Sequence, residues 1–151
     1  TYHTAIGQYG FQVTPIQMVR ATSAIANYGT LVTPHFLVGD KKKENQTYKI
    51  ELDKEYYDVI HNGMRQAVTL GTAVALNVPY VKVAAKTGTA QLGVNKNKVN
   101  SWVIGFFPYD NPKYAFTIMM EAGPATTSIS ASTVMQRLLD WMSVNTPEYF
   151  N

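Results

Sequence analysis

Val81-Lys82-Val83-Ala84-Ala85-Lys86-Thr87-Gly88-Thr89-Ala90-Gln91 is the stretch on which the fold of this chain turns. Helical spacing gives way here to a run rich in valine and threonine, and two later runs match it: Ser101–Phe107 and Tyr114–Glu121. The first connector, Leu92–Asn100, holds one glycine, three asparagines and two lysines, and the second is Tyr109-Asp110-Asn111-Pro112. Both are strong turn signals, because Gly, Asn, Asp and Pro supply the backbone angles that reversals need. The pattern predicts three consecutive antiparallel strands, a meander. A helix over Ser130–Met142 follows, with Val134, Leu138, Trp141 and Met142 as the apolar stripe laid on the sheet.

Upstream the signals are helical. Thr14-Pro15-Ile16-Gln17 is a capping box with proline at the first helical position, and Val13 and Met18 are placed to staple across it. This helix should run to about Tyr28 and stop at Gly29. Its Ala21, Ala24, Ile25 and Ala26 leave room for a close neighbour. Residues 30–52 read as extended chain or loop, with short strands at Leu31–Val32 and Tyr48–Leu52. Asp53 should cap a second helix, with Tyr56, Val59, Ile60, Met64, Ala67 and Val68 as its stripe and Gly71 as its end. No internal repeat is visible.

The 151 residues are 46% hydrophobic and 15% charged, enough to bury a sizeable core and far from a disordered composition. A net charge of +3 is too weak to argue for nucleic acid. The most basic run, Lys41-Lys42-Lys43, is followed at once by Glu44 and reads as a solvated turn. Cysteine is absent, which excludes disulfides, thiol catalysis and cysteine metal sites. No segment approaches the roughly 18 apolar residues that span a bilayer. Thr1 is followed by Tyr2-His3-Thr4 rather than by a signal peptide, and the chain reads as a piece excised from something longer.

The chemistry-bearing segment is Lys86–Gln91. Alternation puts Lys86 and Gly88 on one face of the strand and Thr87 and Thr89 on the other, so a bulge at Gly88 would be needed to gather them into one cleft. Gly88 also lets another backbone approach closely, and an open edge here would accept an extended peptide. The plain alternative is a polar surface strand. His3, His35 and His61 are far apart in sequence, with no carboxylate cluster at ligand spacing, and read as ordinary histidines. Tyr56, Tyr57 and Tyr80 read as packing residues, and Glu121 as a structural or solvated carboxylate.

Lys86-Thr87-Gly88 resembles the third signature of serine penicillin-binding proteins and β-lactamases, whose other signatures are S-x-x-K and an S-x-N element. Further segments narrow the resemblance to class B penicillin-binding proteins. They are Ile6-Gly7-Gln8 with Val13–Met18, Gly71-Thr72-Ala73, Ser101-Trp102-Val103-Ile104-Gly105-Phe106-Phe107-Pro108 and the last helix, all in the family's order. Gln91 resembles the elongation-type enzymes. Tyr9 (before Gly10) and Ala85 stand where the family often has glycine, and Ala85 would leave less room beside the strand.

The resemblance implies roles. Lys86 would be a fixed positive charge that attracts the carboxylate of substrate or penicillin and tunes proton traffic. The hydroxyls of Thr87 and Thr89 would bind that carboxylate. The amide of Thr89 would form half of an oxyanion hole, with Gly88, Ala90 and Gln91 completing the binding strand. The nucleophile is missing: none of the serines at 23, 101, 128, 130, 132 and 143 has lysine three residues on. Ser143-Val144-Asn145 matches S-x-N by letter but lies after the Lys-Thr-Gly strand, on the wrong side of it for the family.

The expected fold is therefore α+β: an antiparallel sheet of at least three strands packed with a C-terminal helix, part of the penicillin-binding and serine β-lactamase-like fold. Residues 1–151 would be the C-terminal portion of one transpeptidase domain. Residues 1–80 would be its mostly helical part, an adjoining region, and 81–151 the sheet with its helix. The sheet should be incomplete, with an unpaired edge and an apolar face that need a partner. The expected function is a share in peptidoglycan D,D-transpeptidation, this piece alone being inactive and needing no cofactor or metal. Implied partners are stem peptides, β-lactams, the upstream half of the domain, and membrane and scaffold proteins of the elongation complex; nucleic acid is not among them. Implied location is the periplasmic side of the cell envelope, in a protein anchored to the inner membrane. Alternatives are a non-catalytic sensor of β-lactams or muropeptides, and an interaction module of the same fold.

Overall fold

The computed structural model describes residue 7, residues 12–37 and residues 47–150. In chain order come α1 (Pro15–Ala26), β1 (Thr30–Val32), β2 (Thr47–Lys49), α2 (Lys54–Thr69), a 3-10 turn at Val74–Leu76, β3 (Ala84–Leu92), β4 (Lys98–Phe107), β5 (Tyr114–Pro124), α3 (Ala131–Asn145) and a closing 3-10 turn at Pro147–Phe150. β1 and β2 form a small antiparallel ladder, and β3-β4-β5 form the expected meander. His3, Ile6, Gln8, Tyr9, Gly10 and the Lys41–Lys43 run lie outside the described residues.

The capping box forms as its letters require. The Gln17 amide donates to Thr14 Oγ1 at 3.3 Å, and the Thr14 amide donates to Gln17 Oε1 at 2.8 Å. α1 ends one residue before Asn27, and the chain then takes left-handed angles at Tyr28 (φ 60°) and Gly29 (φ 97°). Asn27 secures this reversal by accepting from the Thr30 amide and donating to the Thr30 carbonyl. Asp53 stands at the N-cap of α2 without a side-chain capping bond, and Glu55 supplies the negative charge that suits the first turn.

Two helices are rotated from their expected setting. On α2 the buried row is Tyr57, His61, Met64 and Val68, whereas Tyr56, Val59 and Ile60 are exposed. On α3 the buried row is Ala131, Met135 and Leu139; Val134, Leu138 and Trp141 are exposed, and of the expected stripe Met142 packs against the core. α2 thus buries Met64 and Val68 of its expected stripe and takes Tyr57 and His61 in place of the neighbouring Tyr56 and Ile60. At the start of α3 Ala131 is wholly buried, and its amide donates to Ser101 Oγ at 3.0 Å.

The sheet is covered on both faces. α3 and the Val74–Leu76 turn pack Met135, Leu139, Ala73 and Leu76 onto Ala85, Val103 and Phe107. Met135, Leu139 and Val103 are fully buried, each worth roughly 1.5–3 kcal/mol by area. On the other face Ala26 and Met64 meet Ala84 and Phe106. The first two helices thus pack directly on the sheet rather than standing apart in an adjoining region: α1 lies across β4 and β5, and α2 against β3.

Candidate functional site

β3 is an edge strand, and α2 crosses its outer side only at the start. Met64 joins the cluster on one face of the sheet and Val68 the cluster on the other, while the Arg65 guanidinium donates to the Val83 carbonyl at 2.8 Å. From Lys86 onward no strand among the described residues pairs with the outer side of β3.

Pairing across β3 and β4 is regular: Lys86 opposite Ile104, Thr87 opposite Val103, Gly88 opposite Trp102, Thr89 opposite Ser101, Ala90 opposite Asn100. The bulge considered at Gly88 is absent; the irregularity of the sheet lies between Val99 and Ser101, where β4 meets β5. Lys86, Gly88 and Ala90 therefore share a face with Ile104, Trp102 and Asn100, and Thr87 and Thr89 project to the other. What gathers these residues is the edge itself, around which a cleft of about 540 Å³ wraps. Val13, Met18, Trp102, Ile104 and Met119 form its apolar wall, and Gln12, Asn100 and Lys86 through Ala90 its polar side. That volume and mixture suit a small organic ligand or an extended peptide segment.

Within the cleft, Lys86 is exposed and its ammonium donates to the Thr87 carbonyl at 2.5 Å. The Thr87 hydroxyl lies 2.6 Å from the Thr72 hydroxyl. A Cβ added at Gly88 would meet Trp102 Cβ at 3.5 Å, an ordinary contact, so internal packing does not demand glycine there. Ala85 is wholly buried on the face away from Lys86 and does not narrow the cleft. A fixed cation at an apolar wall attracts a carboxylate, and an unpaired strand edge offers alternating donors and acceptors to a second backbone.

The remaining candidates are structural. His61 is buried, with Nε2 2.8 Å from the Ile25 carbonyl and its ring 4.8 Å from those of Tyr28 and Phe106. His35 Nδ1 lies 3.1 Å from the Leu37 carbonyl. Among the described residues no three His, Asp or Glu side chains gather to hold a metal, and no helix is long and apolar enough to cross a membrane. Ser143 and Asn145 bond to the Asp140 and Trp141 carbonyls within the last turns of α3, so their S-x-N spelling serves the helix. Displaced ionisations lie away from the cleft: burial and the Asp140 carboxylate raise the Tyr80 phenol, and the Lys54 ammonium lowers Asp58. A hydroxyl just past a glycine at the helix end is the one local signal in the sequence for Thr72. Asn100 and Met119 carried none.

Known proteins resemble this chain over nearly all of its length. Residues 1–140 match the penicillin binding protein transpeptidase domain. The peptidoglycan D,D-transpeptidase MrdA of Escherichia coli K12 is 27% identical over 93% of this chain and 26% of its own length. Helicobacter pylori PBP2, in its complex with MreC, superposes with a TM-score of 0.75 at 28% identity, over 95% of this chain and 27% of that one. Pseudomonas aeruginosa PBP2 in complex with WCK 5153 gives 0.75 at 31%, over 92% and 31%. The chain thus spans about a quarter of the length of the curated relatives it matches.

Proposed function

Since this chain belongs to the penicillin-binding protein transpeptidase domain family, we propose that it is the C-terminal portion of the catalytic domain of an elongation-type peptidoglycan D,D-transpeptidase. Its part is the Lys-Thr-Gly wall of the active-site cleft. The observation that carries this reading is the edge of β3. Lys86 and Gly88 share one face of this edge strand and line the cleft beside it, and the glycine leaves space that no internal contact needs.

In this reading a stem peptide, or a β-lactam that mimics one, lies along β3 and pairs with its main chain from Thr87 to Gln91. Lys86 attracts the terminal carboxylate and keeps the cleft positive as the acyl group transfers. The Thr89 amide donates to the oxyanion, its hydroxyl to the carboxylate. Gly88 and Ala90 keep the floor low. The nucleophilic serine comes from an upstream half of the domain, because no Ser-x-x-Lys exists in these 151 residues. The serine oxygen then attacks a backbone carbonyl of the donor stem peptide, whose C-terminal residue leaves as a free amine, and an acceptor amine attacks the resulting ester, forming the cross-linking amide and freeing the serine. The likeness to a PBP2 bound to MreC supports a scaffold protein of the elongation machinery as a partner, and this reading implies a periplasmic domain of an inner-membrane-anchored protein as the setting.

The test is intact-mass spectrometry after incubation with a penicillin, on this chain alone and on the chain combined with its upstream half. An adduct in the combination, on an upstream serine, is expected. Its absence from a folded combination would favour a non-catalytic sensor or docking module. An adduct on this chain alone would overturn the assignment of the nucleophile.

A further inference from the structure

The segment Gly71-Thr72-Ala73 lies far from Lys86 in sequence but touches the strand that bears it. The Thr72 and Thr87 hydroxyls are 2.6 Å apart, and the Thr87 carbonyl accepts the Lys86 ammonium. We propose that Thr72 is a positioning residue: it holds Thr87, and through the Thr87 carbonyl it sets where the Lys86 ammonium stands in the cleft.

Thr72 is itself held from both sides. Before it, Gly71 passes so close to α2 that a Cβ there would meet Ala67 Cα at 3.0 Å and the Ala67 carbonyl oxygen at 3.1 Å. After it, Ala73 donates its amide to that same Ala67 carbonyl at 2.9 Å and is wholly buried in the core with Leu76. The backbone of residues 71–73 is thus clamped to the end of α2, and α2 is tied to the root of β3 by Arg65 on the Val83 carbonyl. A hydroxyl on such a rigid mount can fix a partner that a surface hydroxyl could not.

The face of the strand explains why a clamp is needed. Thr87 projects to the face opposite Lys86, onto the side covered by α3, where its hydroxyl meets that of Thr72. Among the described residues β3 has no strand on its outer side here, and an edge strand without one can shift sideways more than an inner strand. The Thr72–Thr87 contact restrains that shift at the residue whose carbonyl receives the lysine. A displacement of the order of an ångström at a reacting group slows chemistry without weakening ligand binding in proportion. Thr87 therefore serves the site by its carbonyl and its anchoring.

This inference rests on the transpeptidase reading above. Its test uses the full-length protein in three variants: Thr72→Val, Thr72→Ser, and Thr72→Val combined with Thr87→Val. The readouts are the limiting rate of acylation by benzylpenicillin, the concentration at half-saturation, and the melting temperature. Valine keeps the shape and removes the hydroxyl, so the limiting rate should fall about five- to tenfold, the worth of one hydrogen bond. Half-saturation and melting temperature should stay near wild type, serine should restore the rate, and the double variant should be no slower than Thr72→Val. A Thr72→Val protein that acylates at the wild-type rate overturns the inference, as does a loss that tracks melting temperature or a double variant slower than Thr72→Val. Failure of the wild-type protein to acylate would instead sink the transpeptidase reading, and this one with it.

Discussion

The Phe116 ring on β5 lies over Gly105 on β4 and fills the space that a side chain there would take. A Cβ at Gly105 would fall 2.6 Å from Phe116 Cζ and 2.4 Å from the Ala84 carbonyl oxygen on β3. One glycine thus lets all three strands close together, directly beneath the root of the Lys86 segment.

Gly105→Ala should therefore cost about 1–3 kcal/mol or more, because one of the clashing atoms is backbone that no rotamer change can move. Urea unfolding of the full-length protein measures it. The same variant should slow penicillin acylation, since relief of the clash displaces Ala84 and with it β3. An unchanged unfolding midpoint would show that the sheet opens there at little cost.

Lys86→Ala should slow acylation by on the order of a hundredfold or more, as loss of a preorganised charge at a reacting centre does. Lys86→Arg should restore little, because the planar guanidinium cannot meet the Thr87 carbonyl from the position of a compact ammonium. Acylation kinetics followed by mass spectrometry decide this; a wild-type rate in the alanine variant would remove Lys86 from the mechanism.

The phenol of Tyr80 donates to Asp140 Oδ1 at 2.6 Å, tying the approach to β3 onto α3. Burial first, then the Asp140 carboxylate, raise its pKa well above the ordinary 10.0. The neutral phenol is the form the fold favours. Its contribution to stability is complete below about pH 10 and is lost as pH climbs toward the raised value. The stability difference between wild type and Tyr80→Phe should be constant from neutral pH to about 10 and shrink above it. Chemical denaturation across that range would show it, and a difference that grows with pH would contradict the assignment.

Thr117 Oγ1 on β5 is buried and has no hydrogen-bond partner among the described residues. Thr117→Val keeps the shape and removes an orphaned hydroxyl, so it should raise stability by about 1 kcal/mol. A lowered melting temperature would mean that the hydroxyl has a partner in the full-length protein.

Much of this was legible in the residues. Thr14-Pro15-Ile16-Gln17 caps its helix as written because a capping box is satisfied within four residues. The meander followed from alternation and from connectors rich in Gly, Asn and Pro, though β4 and β5 extend past their expected ends because strand pairing continues until a partner runs out. The helix faces were not legible. Trp141 is 56% exposed although it falls in a regular apolar row, while Leu139 beside it is fully buried, and within the single expected stripe of α2 Val59 is 69% exposed and Val68 fully buried. His61 passed for an ordinary histidine and is sealed between two aromatic rings.

What the sequence by itself determined is whatever is settled within a few residues: the caps, the turns, the strand alternation that separates Lys86 from Thr87, and the spelling of Lys86–Gln91 that marks the family. What only the tertiary structure decided is which apolar row of α2 and α3 meets the sheet, that α1 lies across β4 and β5, and that Thr72 reaches Thr87. Local preferences act through hydrogen bonds and backbone sterics that the neighbouring residues complete on their own. Burial and long-range contact depend instead on the shape of a surface built by residues far along the chain, and that surface exists only once the sheet and its helices have come together.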